Sequence, residues 1–468
     1  MTSLSTTLSN NVLNSVSSAP GTPRPSSVEP KGRLGTMSKR PVLDKTPVFG
    51  ASINLVPDLL VDAEATEESP EIGISTVARR TINPIRQIVD RSKVQPNPNK
   101  SLISLSLGDP TIFGNLSTHP CVLEAVRDQL ANPKAHGYAP STGFEHARAA
   151  IANFHSSPKV KYTSKDVVIA SGCSGALDLC ISALCDPEKN HNILIPKPAF
   201  SLYKTLATSK GLKVKYYELI SDQEWEADLA SMEANIDQNT TAILINNPSN
   251  PCGSVFSSIH LLDILDVCRR HRLPLIADEI YADLVFDSKQ HPYIPAASLS
   301  TDVPVLTVGG LAKKWLVPGW RIGWILIHDP THRRFQAVRQ GLVSLSQLIL
   351  GANTLIQCAI PRILGETPET FYEATRRVLR DNAAILKQEL GNIPGIRVIE
   401  PRGAMYMMLR LSDETDDVAW CEQLLAQESV ACLPGSCFNA PHYVRLVFTA
   451  PADRLREASH RIRAFVQR

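Results

Sequence analysis

Short apolar runs recur through the middle of this chain, each ending at a turn or giving way to a helix-like stretch. Val167-Val168-Ile169-Ala170 precedes a helical pattern over 176–183, Asn192-Ile193-Leu194-Ile195 ends at Pro196, and the run 241–245 ends at Asn246-Asn247-Pro248. A helical pattern over 259–270 follows, then apolar runs at 273–277 and 303–308. A strand that is apolar on both faces must be covered on both faces, and crossover helices supply that cover. The pattern therefore predicts an α/β fold built on βαβ units and a mostly parallel sheet. A further helix is expected over 366–390, with Gly391 as its C-cap candidate, leading to a strand-rich tail at 397–400, 404–409 and 443–448.

Size and composition remove several classes. With 468 residues the chain is long enough for one large domain and a smaller one. A formal net charge of +2 gives no global pull toward nucleic acid or a membrane surface, and no apolar run approaches the ~18 residues a membrane span needs. The ten cysteines are scattered, with no Cys-x-x-Cys pair, as in a reduced intracellular protein, and no metal site is expected. Residues 1–78 differ from the rest. Twelve of the first 30 positions are Ser or Thr, residues 1–50 carry six bases against two acids, and residues 51–71 carry six acids and no base. Low hydrophobicity and blocky charge predict a disordered extension. A cytoplasmic protein with a regulatory tail fits this, and so does a mitochondrial address.

Chemistry gathers where the expected strands end. Lys313 follows the run 303–308, and Arg321 follows Lys313 by eight residues, beside Pro318-Gly319-Trp320. Loss of hydration disfavours the ammonium form of a lysine at the mouth of an apolar pocket, and a neutral amine condenses with aldehydes. An arginine close by grips a phosphate with its fork of donors. Amine and phosphate grip together are what pyridoxal 5′-phosphate requires, although Lys313, Lys314 and Arg321 could equally be solvated charges flanking a strand. Asp278, at the end of the run 273–277, is placed where α/β sheets bind ligands. A carboxylate there would keep a pyridine nitrogen protonated, with Tyr281 three residues on as a donor; a simple strand-end cap is the other reading. The turn Ser171-Gly172-Cys173-Ser174 opens a helix and offers its N–H groups to a phosphate, or is only an N-cap. Asn247 lies in a Pro-rich turn as a fixed amide donor, or merely in a β-turn. Phe200 follows two prolines and is a core ring or a stacking one. Arg445 is a charge inside an apolar strand, which needs either a structural ion pair or an anionic ligand.

The wording of these segments resembles the class I, fold-type I aminotransferases, which depend on pyridoxal 5′-phosphate. The resemblance is carried by GGLAKKWLVPGWRIGWILIHD around Lys313, ADEIY around Asp278, NNPSNPCG around Asn247, and PNPNK and SLGDPTIFGNL near residue 100. It runs from Arg79 to the C-terminus and implies a large domain (119–365) with a seven-stranded sheet, and a smaller domain made from 79–118 and 366–468. It implies that Lys313, rather than Lys314, carries the cofactor, since the family's spacing to the phosphate arginine fits Arg321. Gly172, Cys173 and Ser174 would then hold the phosphate, Phe200 would stack on the ring, and Asn247 and Tyr281 would meet its phenolic oxygen. Tyr138 would reach the phosphate of a neighbouring subunit in a homodimer. Arg445 would clamp the substrate α-carboxylate, with Gly108 and Asn247 at the substrate. One departure stands out: many relatives have Ser three residues before the lysine, where this chain has Gly310. Within the family the resemblance favours transamination of L-tyrosine and other aromatic amino acids with 2-oxoglutarate, in tyrosine and phenylalanine catabolism. Alanine- or kynurenine-type aminotransferases, cyclopropane-carboxylate synthase or lyase chemistry, and a non-catalytic cofactor-binding protein are the alternatives.

Overall fold

The computed structural model describes residues 72–91 and 93–468. The expectations for the acidic and basic blocks before residue 72 lie outside the described residues. The expected boundary at 78 falls inside a short helix, Thr76–Arg80, which Ser75 caps by accepting from the Ala78 N–H.

Strands, numbered along the chain, form three sheets. The large sheet has the order β2 (Val167–Ser171), β9 (Ile322–His328), β8 (Val305–Gly310), β7 (Leu275–Asp278), β6 (Thr240–Asn246), β3 (Asn192–Lys197), β4 (Lys213–Ile220) and β5 (Glu226–Ala227). It has eight strands where seven were expected; the additional one, β5, is a two-residue antiparallel edge pairing Leu219 and Ile220 with Ala227 and Glu226. The pairings β8–β7, β7–β6, β6–β3 and β3–β4 are parallel, as the alternation of runs and helices predicts. Only β9 breaks the interior, running antiparallel between β2 and β8. No crossover helix precedes it: a turn through Pro318–Trp320 and a left-handed Arg321 (φ 55°) sends the chain straight back along β8.

Both faces of this sheet are covered. Leu177, Cys180 and Ile181 of helix Gly172–Leu184 pack with Val168, Ile193, Val308 and Ile325 on one side. Leu261, Ile264 and Cys268 of helix Ser258–Arg270 pack with Leu194, Ile243 and Leu275 on the other. Burial on both sides is why these strands read as unbroken apolar runs. The second sheet is antiparallel, in the order β10 (Arg397–Ile399), β11 (Tyr406–Arg410), β14 (Tyr443–Val447) and β13 (Leu433–Pro434). β1 (Ile103–Ser104) pairs in parallel with β12 (Val430–Ala431), and Leu105 accepts from the Val447 N–H, so the segment after residue 103 runs beside β14. The helix expected over 366–390 is Glu369–Leu390, and Gly391 does follow it, but with right-handed backbone (φ −65°) rather than a left-handed cap. Among the described residues no helix is long and apolar enough to cross a membrane.

The β8–β9 pair explains Gly310. A Cβ there would lie 2.6 Å from the Ile322 carbonyl oxygen and 3.0 Å from the Gly323 Cα, while one at Gly323 would lie 2.3 Å from the Gly172 carbonyl carbon. The backbones of β8, β9 and the start of helix Gly172–Leu184 touch, leaving no room for a serine side chain. Gly310→Ser should therefore lower the unfolding free energy by about 1–3 kcal/mol, read as a lower urea midpoint; an unchanged midpoint would contradict this packing.

Candidate active site

Because β9 reverses direction twice over, β2 runs the same way as β8, β7, β6, β3 and β4, and their carboxyl ends open on one edge. A cavity of about 330 Å³ lies at that edge. Gly108, Cys173, Ser174, Phe200, Asp278, Tyr281, Lys313, Arg321 and Arg445 all line it, so residues spread over more than three hundred positions meet in one place. A larger cleft, of about 840 Å³, lies beside helix Glu369–Leu390 and holds none of them. Its Lys387, Arg397 and Arg402 are already ion-paired to Glu400, Asp222 and Glu224, so the smaller cavity is the candidate site.

The two adjacent lysines part company. Lys313 points into the cavity, where its Nζ donates to the Gly108 carbonyl at 2.5 Å and lies 5.8 Å from the Tyr281 ring centroid. Lys314 turns away. Its Nζ pairs with Asp283 and sits 5.0, 5.5 and 4.6 Å from the rings of Phe154, Trp315 and Tyr372. An ammonium held by three aromatic faces and a carboxylate has its role fixed as structural.

Asp278, the last residue of β7, is 2 % exposed. Its Oδ2 accepts from the Tyr203 hydroxyl at 2.7 Å, and its Oδ1 accepts from the Cys173 thiol at 3.5 Å and the Ile280 N–H at 3.2 Å. All three donors are neutral, and among the described residues no cation forms an ion pair with it. Burial therefore pushes its carboxyl above the ordinary value, with these hydrogen bonds opposing. A cationic N–H from a ligand would reverse that.

Arg445 is the mirror case. It is 2 % exposed on β14, and Nη1 donates to Asn250 Oδ1 at 2.8 Å while Nη2 donates to the Ser106 carbonyl at 2.5 Å. Its guanidinium carbon lies 4.5 Å from the Tyr406 ring and 4.6 Å from Phe438, and its buried Nε has no hydrogen-bond partner among the described residues. The acceptors are neutral, which removes the structural ion pair as an explanation among the described residues. Burial pulls its ordinary value down, as expected for a cation that lacks a counterion.

Arg321 and the helix start fit together closely. The Gly172 N–H donates to the Arg321 carbonyl at 3.0 Å, and Gly172 has φ +70°. A Cβ on Gly172 would lie 2.5 Å from Arg321 Nη2, so glycine lets the guanidinium lie against the first turn of helix Gly172–Leu184. The Ser171 side chain makes no capping bond. A helix N-terminus with an arginine beside it suits a phosphate.

Three expected residues do not line this cavity. Gly172 stands just behind it, under Arg321. Asn247 is buried behind the wall: its Oδ1 accepts from the Phe256 N–H at 2.9 Å, and its buried Nδ2 has no partner among the described residues. Asn246 and Asn250 line the cavity in its stead. Tyr138 is 88 % exposed, on the surface of this chain.

Known proteins share this chain's sequence pattern and fold. The model of aminotransferase class I and II matches residues 100–462. The chain belongs to that family. It is 50 % identical over 398 residues to the human tyrosine aminotransferase, covering 84 % of this chain and 87 % of the human one. A tyrosine aminotransferase of Dictyostelium discoideum is 43 % identical over 402 residues, covering 84 % and 95 %. The solved structure of the tyrosine aminotransferase from Leishmania infantum superposes with a TM-score of 0.80 at 35 % identity, covering 85 % of this chain and 99 % of that one.

Sequence reasoning missed two tyrosines. Tyr203 lies one helical turn beyond Phe200, a spacing that could have flagged it. Tyr406 gave no local signal. Its hydroxyl bonds that of Tyr281 at 2.5 Å, and a Cβ on Gly108 would lie 2.2 Å from it, so Gly108 makes room for this phenol. Burial and the facing phenol raise the Tyr281 hydroxyl well above its usual range.

Glu279, next to Asp278, is also buried, accepting from the Tyr293 hydroxyl at 2.5 Å and the Ala296 N–H at 2.8 Å, and burial pushes it up to about 7. A carboxyl raised in the folded state favours folding below its unfolded value of 4.5, and that contribution is lost as pH rises through about 7. Glu279→Gln should thus gain stability relative to the parent chain between pH 5 and 8, by about 2–3 kcal/mol. Urea midpoints across that range check this, and parallel curves for the two proteins would contradict it.

Proposed function

We propose that the cavity holds pyridoxal 5′-phosphate and that the chain transfers the amino group of L-tyrosine, and of other aromatic amino acids, to 2-oxoglutarate. One observation carries the proposal: Asp278 and Arg445 are both buried ionisable groups, neither has an ionic partner among the described residues, and Lys313 opens into the same cavity. The relatives named above support tyrosine as donor.

Pyridoxal 5′-phosphate, when bound, supplies an aldehyde that condenses with amines and a protonated ring that withdraws electrons from the substrate Cα. Lys313 Nζ would hold it covalently and, as a free amine, would serve as the base that takes the proton from the substrate Cα. Asp278, oriented by Tyr203 and Cys173, would keep the ring nitrogen protonated. Arg321, with the N–H groups of Cys173 and Ser174, would bind the phosphate; the Gly172 N–H is already given to the Arg321 carbonyl, and Gly310 cannot add a hydroxyl, so Arg321 and the next two residues of the helix start would carry that load. Phe200, which lines the cavity, would stack on the ring. Tyr281 would donate to its phenolic oxygen. Arg445 binds the α-carboxylate bidentately, and Gly108, whose carbonyl holds Lys313, lets the substrate approach the backbone. Tyr138, exposed in a single chain, fits a homodimer in which it reaches the partner's phosphate.

The purified protein should convert L-tyrosine and 2-oxoglutarate to 4-hydroxyphenylpyruvate and L-glutamate in equal amounts. Ammonia or a cyclised product would assign it to lyase or synthase chemistry. Lys313→Ala should lower kcat by at least about 10³-fold without unfolding the chain, and a variant turning over at the parental rate would refute the assignment.

A further inference from the structure

Two buried phenols, Tyr281 and Tyr406, line the cavity with their hydroxyl oxygens 2.5 Å apart. The function proposed above, on which this inference rests, gives Tyr281 a task at the cofactor's phenolic oxygen and gives Tyr406 none. We infer that Tyr406 is a positioning residue: its hydroxyl donates to the Tyr281 oxygen and so frees the Tyr281 proton for donation into the cavity.

The fold fixes both members of the pair. Tyr406 opens β11, and the chain just before it is bonded to the chain just after Tyr281. The Ala404 N–H donates to the Leu284 carbonyl at 2.8 Å, and the Phe286 N–H donates to the Arg402 carbonyl at 3.0 Å. The loop that leaves β7 and the start of β11 are joined at this point, and the two rings meet edge to face with centroids 5.6 Å apart. On β14, Arg445 pairs with Met408, two residues beyond Tyr406 and on the same face of β11. That register lays the guanidinium over the Tyr406 ring and leaves the hydroxyl end of the ring for Tyr281.

Two hydroxyls bring two protons, and only one can lie between their oxygens. On the Gly108 side the Tyr406 hydroxyl is packed so tightly that a Cβ there would lie 2.2 Å from it, and the Gly108 carbonyl is engaged by Lys313 Nζ. Among the described residues, the one hydrogen bond of the Tyr406 hydroxyl is with Tyr281. Tyr281 instead stands beside Lys313, whose Nζ lies 5.8 Å from its ring centroid. An ionised phenolic oxygen accepts more strongly than a neutral phenol, so Tyr281 gives its proton to the cofactor and takes a hydrogen bond from Tyr406. A donor that itself accepts is strengthened. The charge of the phenolic oxygen is thereby spread, and it holds the proton on the nitrogen that joins Lys313 to the cofactor less tightly.

The test follows the visible absorption of the protein loaded with pyridoxal 5′-phosphate as pH is varied, without substrate, for the parent, Tyr406→Phe, Tyr281→Phe and the double variant. Tyr406→Phe keeps the ring beneath Arg445 and removes only the hydroxyl. It should raise the midpoint of the colour change by about 0.5–1 pH unit. Tyr281→Phe should raise it at least as far, and adding Tyr406→Phe to that variant should move it no further, because Tyr406 acts through Tyr281. A midpoint unchanged in Tyr406→Phe, or the same shift from Tyr406→Phe with and without the Tyr281 hydroxyl, would overturn the role of Tyr406 and leave the proposed function standing. A parent protein that takes up no pyridoxal 5′-phosphate would refute that function and this role together.

Discussion

Two buried ionisable groups, with no ionic partner among the described residues, organise this molecule. Asp278 ends a central strand of the large sheet, and Arg445 sits within the antiparallel sheet, each satisfied only by neutral groups. Removing a charge from water costs several kcal/mol unless an opposite charge replaces the lost hydration. A fold that keeps both in one cavity is built around what will enter it: a cation for the carboxylate and an anion for the guanidinium. An α-amino acid joined to a protonated pyridine ring carries both.

The remaining architecture brings these groups together. The sheet's parallel strands deliver Ser171, Lys197, Asn246, Asp278 and Gly310 to one edge. The extended segment after β1 then crosses to the second sheet. Within three residues it gives the Ser106 carbonyl to Arg445 and the Gly108 carbonyl to Lys313. Gly108 also makes space for Tyr406, which touches both Arg445 and Tyr281. A short backbone run thus couples the amine and the anion clamp, and a side chain at Gly108 would disturb both.

How much of this was legible beforehand depended on the range of each interaction. Parallel strands covered on both faces announce themselves as apolar runs, so 167–170, 192–195 and 241–245 fall within observed strands. Lys313 and Lys314 were told apart by a spacing, and the structure separates them physically, one into the cavity and one into an aromatic cage. Other features left no local trace. β9 follows β8 through a turn rather than a helix, so the βαβ rhythm could not announce it. Tyr406 meets Tyr281 across 125 positions of sequence. Asn247 was expected at the cavity wall, but the Pro-rich turn faces it inward and brings Asn246 and Asn250 to the surface of the cavity. The Gly310 departure looked like a lost phosphate ligand and is instead the contact of two backbones.

The central claim is that one lysine amine binds the cofactor covalently. Reducing the protein as purified with borohydride, digesting it and sequencing the fluorescent peptide by mass spectrometry tests that directly. The account predicts a single pyridoxyl-modified peptide, with the modification on Lys313. A label on Lys314 or any other lysine, or no label after incubation with pyridoxal 5′-phosphate, would contradict it.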